Sequence, residues 1–337
     1  MNIVKNIIIF GGAGFIGTNL TKFLLDEGNK VFVVDNLQTS NEKNISLFVM
    51  NKNYKYMIGD ITNKLLFNED SMLFVNIKEF LDNKVDYIYN LACPASPPKY
   101  LINPLQTIRT SLAVESLCRL AKKLNATLLH SSTSEVYGNP DSSHHPQNES
   151  YFGNVNIIGP RSCYDEGKRI ADTILYEYHK IGVKCKIIRI FNTYGPYMDV
   201  NDGRVISNFV CQALLNKDIT IYGDGTQTRS FQYINDLIYG MAEFIKTPSS
   251  ELGPVNIGNP EEFTMNELAR LVLMMIPTSK SKIVYRELPK DDPIQRKADI
   301  SKAYQMFGYK PKVSLEEGLK RTINYFNVEL KSTEFLY

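Results

Sequence analysis

The sequence predicts an α/β chain: a doubly wound parallel sheet followed by a smaller C-terminal lobe. Three observations carry that reading. Short apolar runs recur through the first 190 or so residues, separated by segments long enough to hold helices. Strands covered on both faces read as continuous apolar runs, and parallel strands need such crossovers. A glycine-rich turn, Gly11–Gly17, lies between the first apolar run and the first helical segment. Beyond about Asn192 the composition shifts towards tight turns, at Tyr194–Pro196, Asn201–Gly203 and Gly223–Gly225.

In chain order, Asn6–Phe10 reads as a strand, Thr18–Glu27 as a helix closed by Gly28 and Asn29, and Lys30–Val34 as a second strand, which makes a βαβ unit. Further strands are expected at Tyr54–Ile58, Tyr87–Leu91, Thr127–His130 and Lys184–Ile190, with long helices over Leu105–Leu124 and Cys163–Lys180. The expected division is a dinucleotide-binding domain over 1–192 and a second lobe over 193–337. Part of 231–258 is expected to return to the first domain.

The chain has 337 residues, room for two cores at roughly 150 residues per domain. Lys+Arg 38 against Asp+Glu 36 gives +2, which argues against a nucleic-acid binder or a polybasic membrane reader, so an anionic ligand must be met by a local site. The five cysteines, Cys93, Cys118, Cys163, Cys185 and Cys211, contain no C-x-x-C pair and read as reduced thiols. The adjacent His144 and His145 lie in a polar stretch and read as a solvated loop, so no metal is expected. The N-terminal residues run straight into an apolar strand and no stretch reaches 18 apolar residues, so neither a leader nor a membrane span is expected. A cytoplasmic location is the expectation.

Four motifs carry chemistry. Gly11-Gly-Ala-Gly14-Phe-Ile-Gly17 places glycines where a backbone must approach a pyrophosphate, in front of a helix N-terminus. Asp35 ends the next strand, where a carboxylate binds an adenosine ribose and repels the extra phosphate of NADP, so NAD is the expected cofactor of this Rossmann-type domain. Asp60, at the end of the third strand, suits either the adenine amine or a helix N-cap. Tyr164 and Lys168 stand four apart on one helix face, so the ammonium favours the phenolate and the phenol can take a proton from a hydroxyl as hydride leaves the same carbon. Ser131-Ser-Thr-Ser-Glu135 follows a strand directly; Thr133 can share the oxygen that Tyr164 deprotonates, and Glu135 is a costly carboxylate unless partnered or used.

Together with Ala92-Cys-Pro-Ala-Ser-Pro-Pro-Lys-Tyr100, Gly159-Pro-Arg-Ser-Cys-Tyr-Asp-Glu-Gly-Lys-Arg169, Arg189-Ile-Phe-Asn-Thr-Tyr-Gly-Pro196, Gly223–Tyr233, Asn256–Glu262 and Asp291–Asp299, these residues resemble the extended short-chain dehydrogenase/reductases. More narrowly they resemble the UDP-glucuronate decarboxylases, over about residues 5–328. The resemblance implies oxidation at C4 of UDP-glucuronate, loss of carbon dioxide from the resulting β-keto acid, and return of the hydride to give UDP-xylose. Tyr164 is then the base, Lys168 the nicotinamide-ribose anchor, and Thr133 a C4-oxygen partner, with Glu135 and Ser134 beside the carboxylate. Arg229 is expected near the departing carboxylate and Arg296 at the diphosphate. Arg109, Asn192 and Tyr222 complete the expected substrate contacts. The expected cofactor contacts are Gly11, Gly14, Phe15, Ile16, Gly17, Asp35, Asn36, Thr39, Asp60, Ile61, Leu91, Ala92, Cys93, Thr110, Tyr164, Lys168, Thr193 and Arg204. A homodimer is implied as well. The chain departs from the family pattern within 109–121 and at Tyr197 and Asp199, where relatives carry Arg and His. Alternatives are a UDP-sugar epimerase or 4,6-dehydratase, or an idle NAD-binding sensor; for a dehydratase, Asp-Glu would follow the active-site Thr where Ser134-Glu135 stands.

Overall fold

Residues 3–287 and 295–334 are described in a computed structural model. Strands β1 (Asn6–Phe10), β2 (Lys30–Asp35), β3 (Tyr54–Ile58), β4 (Tyr87–Asn90), β5 (Thr127–Thr133) and β6 (Cys185–Ile190) form one sheet with the edge strand Val255–Ile257. The order is Val255–Ile257, β6, β5, β4, β1, β2, β3, and every pair is parallel. This is the doubly wound α/β fold that the sequence predicts. The strand order reverses between β1 and β4, which opens a crevice at the C-terminal ends of the strands.

Alternation along β1 feeds both layers. Ile7 and Ile9 join one core with Leu20, Leu24 and Leu25 of the helix Phe15–Asp26 and with Leu237, Ile238 and Met241 of the helix Ile234–Phe244. Ile8 and Phe10 join the other, with Leu73 and Ile77 of Met72–Leu81, Val114 and Leu117 of Val114–Leu124, and Ala171 and Leu175 of Ser162–Lys180. Burying both faces removes several thousand Å² of apolar surface from water, at about 25 cal/mol per Å².

Two expected elements differ in detail. The helix expected over Leu105–Leu124 is two helices, Pro104–Leu112 and Val114–Leu124, meeting at Ala113. The hydroxyls of Thr107, Thr110 and Ser111 turn back onto the carbonyls of Asn103, Gln106 and Thr107, and such back-bonding bends helices. The strand expected to stop at His130 runs on to Thr133, pairing Ser131, Ser132 and Thr133 with Ile188, Arg189 and Ile190.

The second lobe is built of the helix Val205–Leu214, the parallel pair Ile219–Tyr222 and Ile283–Arg286, and a three-stranded sheet of Glu262–Thr264, Thr228–Ser230 and Gln295–Arg296. The helices Met265–Met275 and Leu315–Glu334 complete it. Residues 291–294 of the Asp291–Asp299 motif, and residues 1 and 2 at the N-terminus, lie outside the described residues. All five cysteines are free thiols. The adjacent histidines are not simply solvated: His144 stacks on Tyr151 with centroids 4.1 Å apart, and His145 Nε2 lies 3.2 Å from Glu262 Oε2. Among the described residues no helix is long and apolar enough to cross a membrane, and no cluster of His, Cys, Asp and Glu is suited to a metal.

Candidate active site

One cleft of about 900 Å³ opens at the C-terminal strand ends between the sheet and the second lobe. At its floor the glycine turn divides into two kinds of position. A Cβ on Gly11, which has φ +81°, would sit 2.6 Å from the Leu91 carbonyl carbon, and one on Gly17 would sit 2.3 Å from Gly11 O. Both are required by the fold itself. A Cβ on Gly14 would meet only Gly11 O, at 3.4 Å. The absence of a side chain at Gly14 therefore serves the cleft rather than the packing. No side chain caps the helix that begins at Phe15, so the N-terminal N–H groups around Phe15, Ile16 and Gly17 face the cleft as an anion site. These features fit the pyrophosphate of a dinucleotide.

Asp35 borders the cleft but is already used by the protein: Oδ2 accepts from Ala13 N at 2.9 Å, and Oδ1 accepts from Leu37 N and Ser40 Oγ, both at 2.8 Å. A carboxylate has about four acceptor positions, so Oδ2 retains one for a ribose hydroxyl. Asp60 accepts from Thr62 N and Oγ1 through Oδ1 and from Asn36 Nδ2 through Oδ2. Burial pushes its carboxyl up, but these hydrogen bonds prevail and hold it below the usual carboxylate range. It caps no helix; Asn63 caps the following turn of 3-10 helix. Thr39, Ile61, Leu91, Ala92, Cys93, Thr110 and Thr193 border the same cleft.

Tyr164 and Lys168 project from the first two turns of Ser162–Lys180. Lys168 Nζ donates to Ser131 O at 2.7 Å and lies 5.9 Å from the centre of the Tyr164 ring. Tyr164 is 5% exposed and stacks on Tyr100, centroids 4.9 Å apart with the planes 3° from parallel. The lowering expected from Lys168 is not what dominates here. Burial raises the phenol well above its ordinary value, the neighbouring Cys93 thiol adds to that, and the Thr133 hydroxyl and the Arg204 charge oppose it. Thr133 Oγ1 accepts from Glu135 N at 3.3 Å, which leaves its own O–H to donate.

Glu135 lies in a guanidinium clamp. Arg296 bonds both carboxylate oxygens, with Nη2 donating to Oε2 at 2.9 Å, and Arg161 Nη2 donates to the same Oε2. Burial pushes Glu135 up, but Arg296, then Arg161, and at longer range Arg229, bring its carboxyl down to about 2. Two expectations change accordingly. Arg296, expected at the diphosphate, is directed onto Glu135. Arg229, expected near the departing carboxylate, donates to Thr228 O at 2.9 Å and stands beside Arg296, because the parallel pairing of Thr228–Ser230 with Gln295–Arg296 makes these two residues register partners.

Arg204 borders the cleft with its Nε and Nη2 donating to Asp202 at 2.6 and 2.9 Å, so those groups are committed within the protein. Asn192, Tyr222 and Ser134 border the cleft too. Arg109 does not: it is exposed on the face of Pro104–Leu112 opposite Thr107 and Ser111, about 100° per residue away from the buried side. Arg161 and Tyr100 also border the cleft; they lie in the motifs Gly159–Arg169 and Ala92–Tyr100, whose spacing gives no sign of their contacts with Glu135 and Tyr164.

Comparison with known proteins places this site in context. A family model described as GDP-mannose 4,6 dehydratase matches residues 8–322. UDP-glucuronic acid decarboxylase 1 of Danio rerio is 45% identical over 329 residues, covering 97% of this chain and 74% of that protein. UDP-glucuronic acid decarboxylase 3 of Arabidopsis thaliana is 46% identical over 328 residues, covering 96% and 90%. Among solved structures, UDP-glucose 4-epimerase of Thermotoga maritima with UDP-glucose superposes with TM-score 0.84 at 27% identity, covering 96% and 99%. UDP-glucuronic acid 4-epimerase of Bacillus cereus, in complex with UDP-glucuronic acid and NAD, superposes with TM-score 0.80 at 26% identity, covering 98% and 100%. With these likenesses over nearly its whole length, the chain belongs to the extended short-chain dehydrogenase/reductases matched by that family model, and within them to the UDP-glucuronic acid decarboxylases.

Proposed function

We propose that the chain decarboxylates UDP-glucuronate to UDP-xylose through a C4 ketone, with NAD regenerated inside the cleft. One juxtaposition carries the reading: the turn Thr133–Glu135 borders the same cleft as Tyr164 and Lys168, and its carboxylate lies between Arg161 and Arg296. The glycine turn, Asp35 and Lys168 would hold NAD, which when bound would supply the hydride acceptor and donor for C4. Tyr164 takes the C4 hydroxyl proton, and Thr133 donates a hydrogen bond to that oxygen. The buried phenol needs a cation to ionise, and Lys168 is the cation on its helix face. A ketone at C4 is β to the C6 carboxylate, so loss of carbon dioxide leaves an enolate that must be protonated at C5. Glu135, with Ser134 beside it, serves that step, and the guanidinium clamp balances the charge that passes through it. Arg229, beside Arg296, serves the departing carboxylate, and Asn192 and Tyr222 serve the uridine nucleotide.

The same reading makes the chain a cytoplasmic homodimer. Leu105 and Leu112 on Pro104–Leu112, and Ile170 and Tyr176 on Ser162–Lys180, are exposed apolar side chains on two helices that pack together, which supports a face for a second copy. The deciding experiment is incubation of the purified protein with UDP-glucuronate, following carbon dioxide and the nucleotide sugar. Gas release with UDP-xylose is expected. UDP-galacturonate without gas would replace decarboxylase by epimerase, and an unchanged sugar with NAD bound would make the chain a sensor.

A further inference from the structure

Arg161 stands between two carboxylates. It is bonded through Nη2 to Glu135, while its Nε forms a long ion pair with Asp165 Oδ2 at 3.9 Å, beyond hydrogen-bonding distance. Asp165 directly follows Tyr164 and is 8% exposed, and its Oδ1 is buried with no hydrogen-bond partner among the described residues. Buried carboxyl oxygens are ordinarily hydrogen-bonded, so Asp165, with Oδ1 unsatisfied and Oδ2 only loosely paired to Arg161, has acceptor capacity left beside that guanidinium. The charged and titratable groups facing it are Arg161, Cys163 and Glu166 on its own helix, Tyr100, Glu135 from the end of β5, and Arg296 from the second lobe. Burial first, and then the charge of Glu135, push the Asp165 carboxyl up to about 7 against the pull of Arg161 and Arg296.

We propose, on the decarboxylase reading above, that Asp165 is a positioning residue that competes with Glu135 for Arg161. Protonated, it leaves Arg161 on Glu135; ionised, it draws the guanidinium back along the helix and frees one acceptor position on Glu135 Oε2, which Arg296 Nη2 still holds. The proton leaves to solvent and no covalent bond changes. A Glu135 held by two arginines is too weak a base to load a proton for C5. Releasing one arginine raises its basicity and opens an acceptor position, so turnover rises as Asp165 ionises.

The test is the pH profile of carbon dioxide release at saturating NAD for the wild type, Asp165→Asn and Asp165→Glu. Wild-type kcat is expected to rise about tenfold between pH 6 and pH 8. Asp165→Asn stays flat at the wild-type pH 6 level with KM for UDP-glucuronate unchanged within about twofold, and Asp165→Glu restores a rise. Profiles that run parallel, or an Asp165→Asn enzyme slower by one factor at every pH, overturn the proposal. An infrared titration of the NAD-bound wild type provides a test independent of turnover and of the variants' folding. A protonated carboxyl band should be lost near pH 7, and its absence at pH 6 overturns the proposal even if the protein releases no carbon dioxide, an outcome that by itself would sink only the decarboxylase reading.

Discussion

Tyr164 and Glu135 are both pushed towards their neutral forms by burial, yet only Glu135 is pulled below its ordinary value, because two arginines bond it and none bonds the phenol. The two side chains should therefore fail differently. Tyr164→Phe is expected to lower kcat by about a hundredfold or more while NAD still binds, measured by turnover and by cofactor titration. Glu135→Gln should still oxidise C4 but lose carbon dioxide slowly, so a 4-keto sugar accumulates and is seen by mass spectrometry. Glu135 also carries a pH signature. Its carboxyl is lower in the folded state than the ordinary value of 4.5, so its stabilisation is present above about 4.5 and is lost as pH falls towards about 2. Asp165 has the opposite sign, since its raised carboxyl costs stability as pH rises from about 4 through about 7. The Tyr164/Lys168 pair is legible in the sequence because helical periodicity brings residues four apart onto one face. The Glu135 clamp is not, because Arg161 and Arg296 stand 26 and 161 residues away and only the folded sheet decides which carboxylate they meet.

At the scale of elements, the glycine turn combines two requirements that the sequence shows as one motif. Gly17→Ala brings a Cβ within 2.3 Å of Gly11 O and should lower the melting temperature by several degrees. Gly14→Ala has room in the fold, so it should melt like the wild type and bind NAD about tenfold or more weakly, read by calorimetry. Equal loss of stability in both variants would show that Gly14 serves packing after all. The inner strands are readable because they are covered on both faces, from Ile7–Phe10 through Cys185–Ile188, whereas the edge strand β3 leaves Tyr56 and Ile58 exposed. The break at Ala113 was not, since it depends on hydroxyl groups turning inward in a stretch whose apolar spacing runs on unbroken. The close approach of Gly167 to Ser111, where a Cβ would come within 2.8 Å of the hydroxyl oxygen, likewise emerges only once the two helices meet.

The two lobes are tied across the mouth of the cleft. Lys99 Nζ, which also donates to Thr39 O at 2.9 Å in its own lobe, donates to Asp199 Oδ2 at 2.8 Å, and Lys43 pairs with Glu329 of Leu315–Glu334; within the second lobe Tyr197 meets Tyr325 edge-on with centroids 5.5 Å apart. Tyr197 and Asp199 stand where the family resemblance implies Arg and His, and the structure gives each a partner: the carboxylate of Asp199 is matched by Lys99, so the net charge there is not simply reduced. Asp199→Ala is expected to speed NAD loss about threefold, measured by displacement, with the difference shrinking at high salt. An unchanged release rate would mean the tie bears no load during cofactor exchange. The edge strand Val255–Ile257 has a different kind of consequence. Until it is synthesised, β6 presents a row of unpaired backbone groups, flanked by the apolar side chains of Ile187 and Ile188. A ribosome-bound chain therefore carries an open sheet edge for more than sixty residues after β6 has emerged. Fragments cut near residue 192 keep that edge open, so the shortest chain that covers it runs through Ile257.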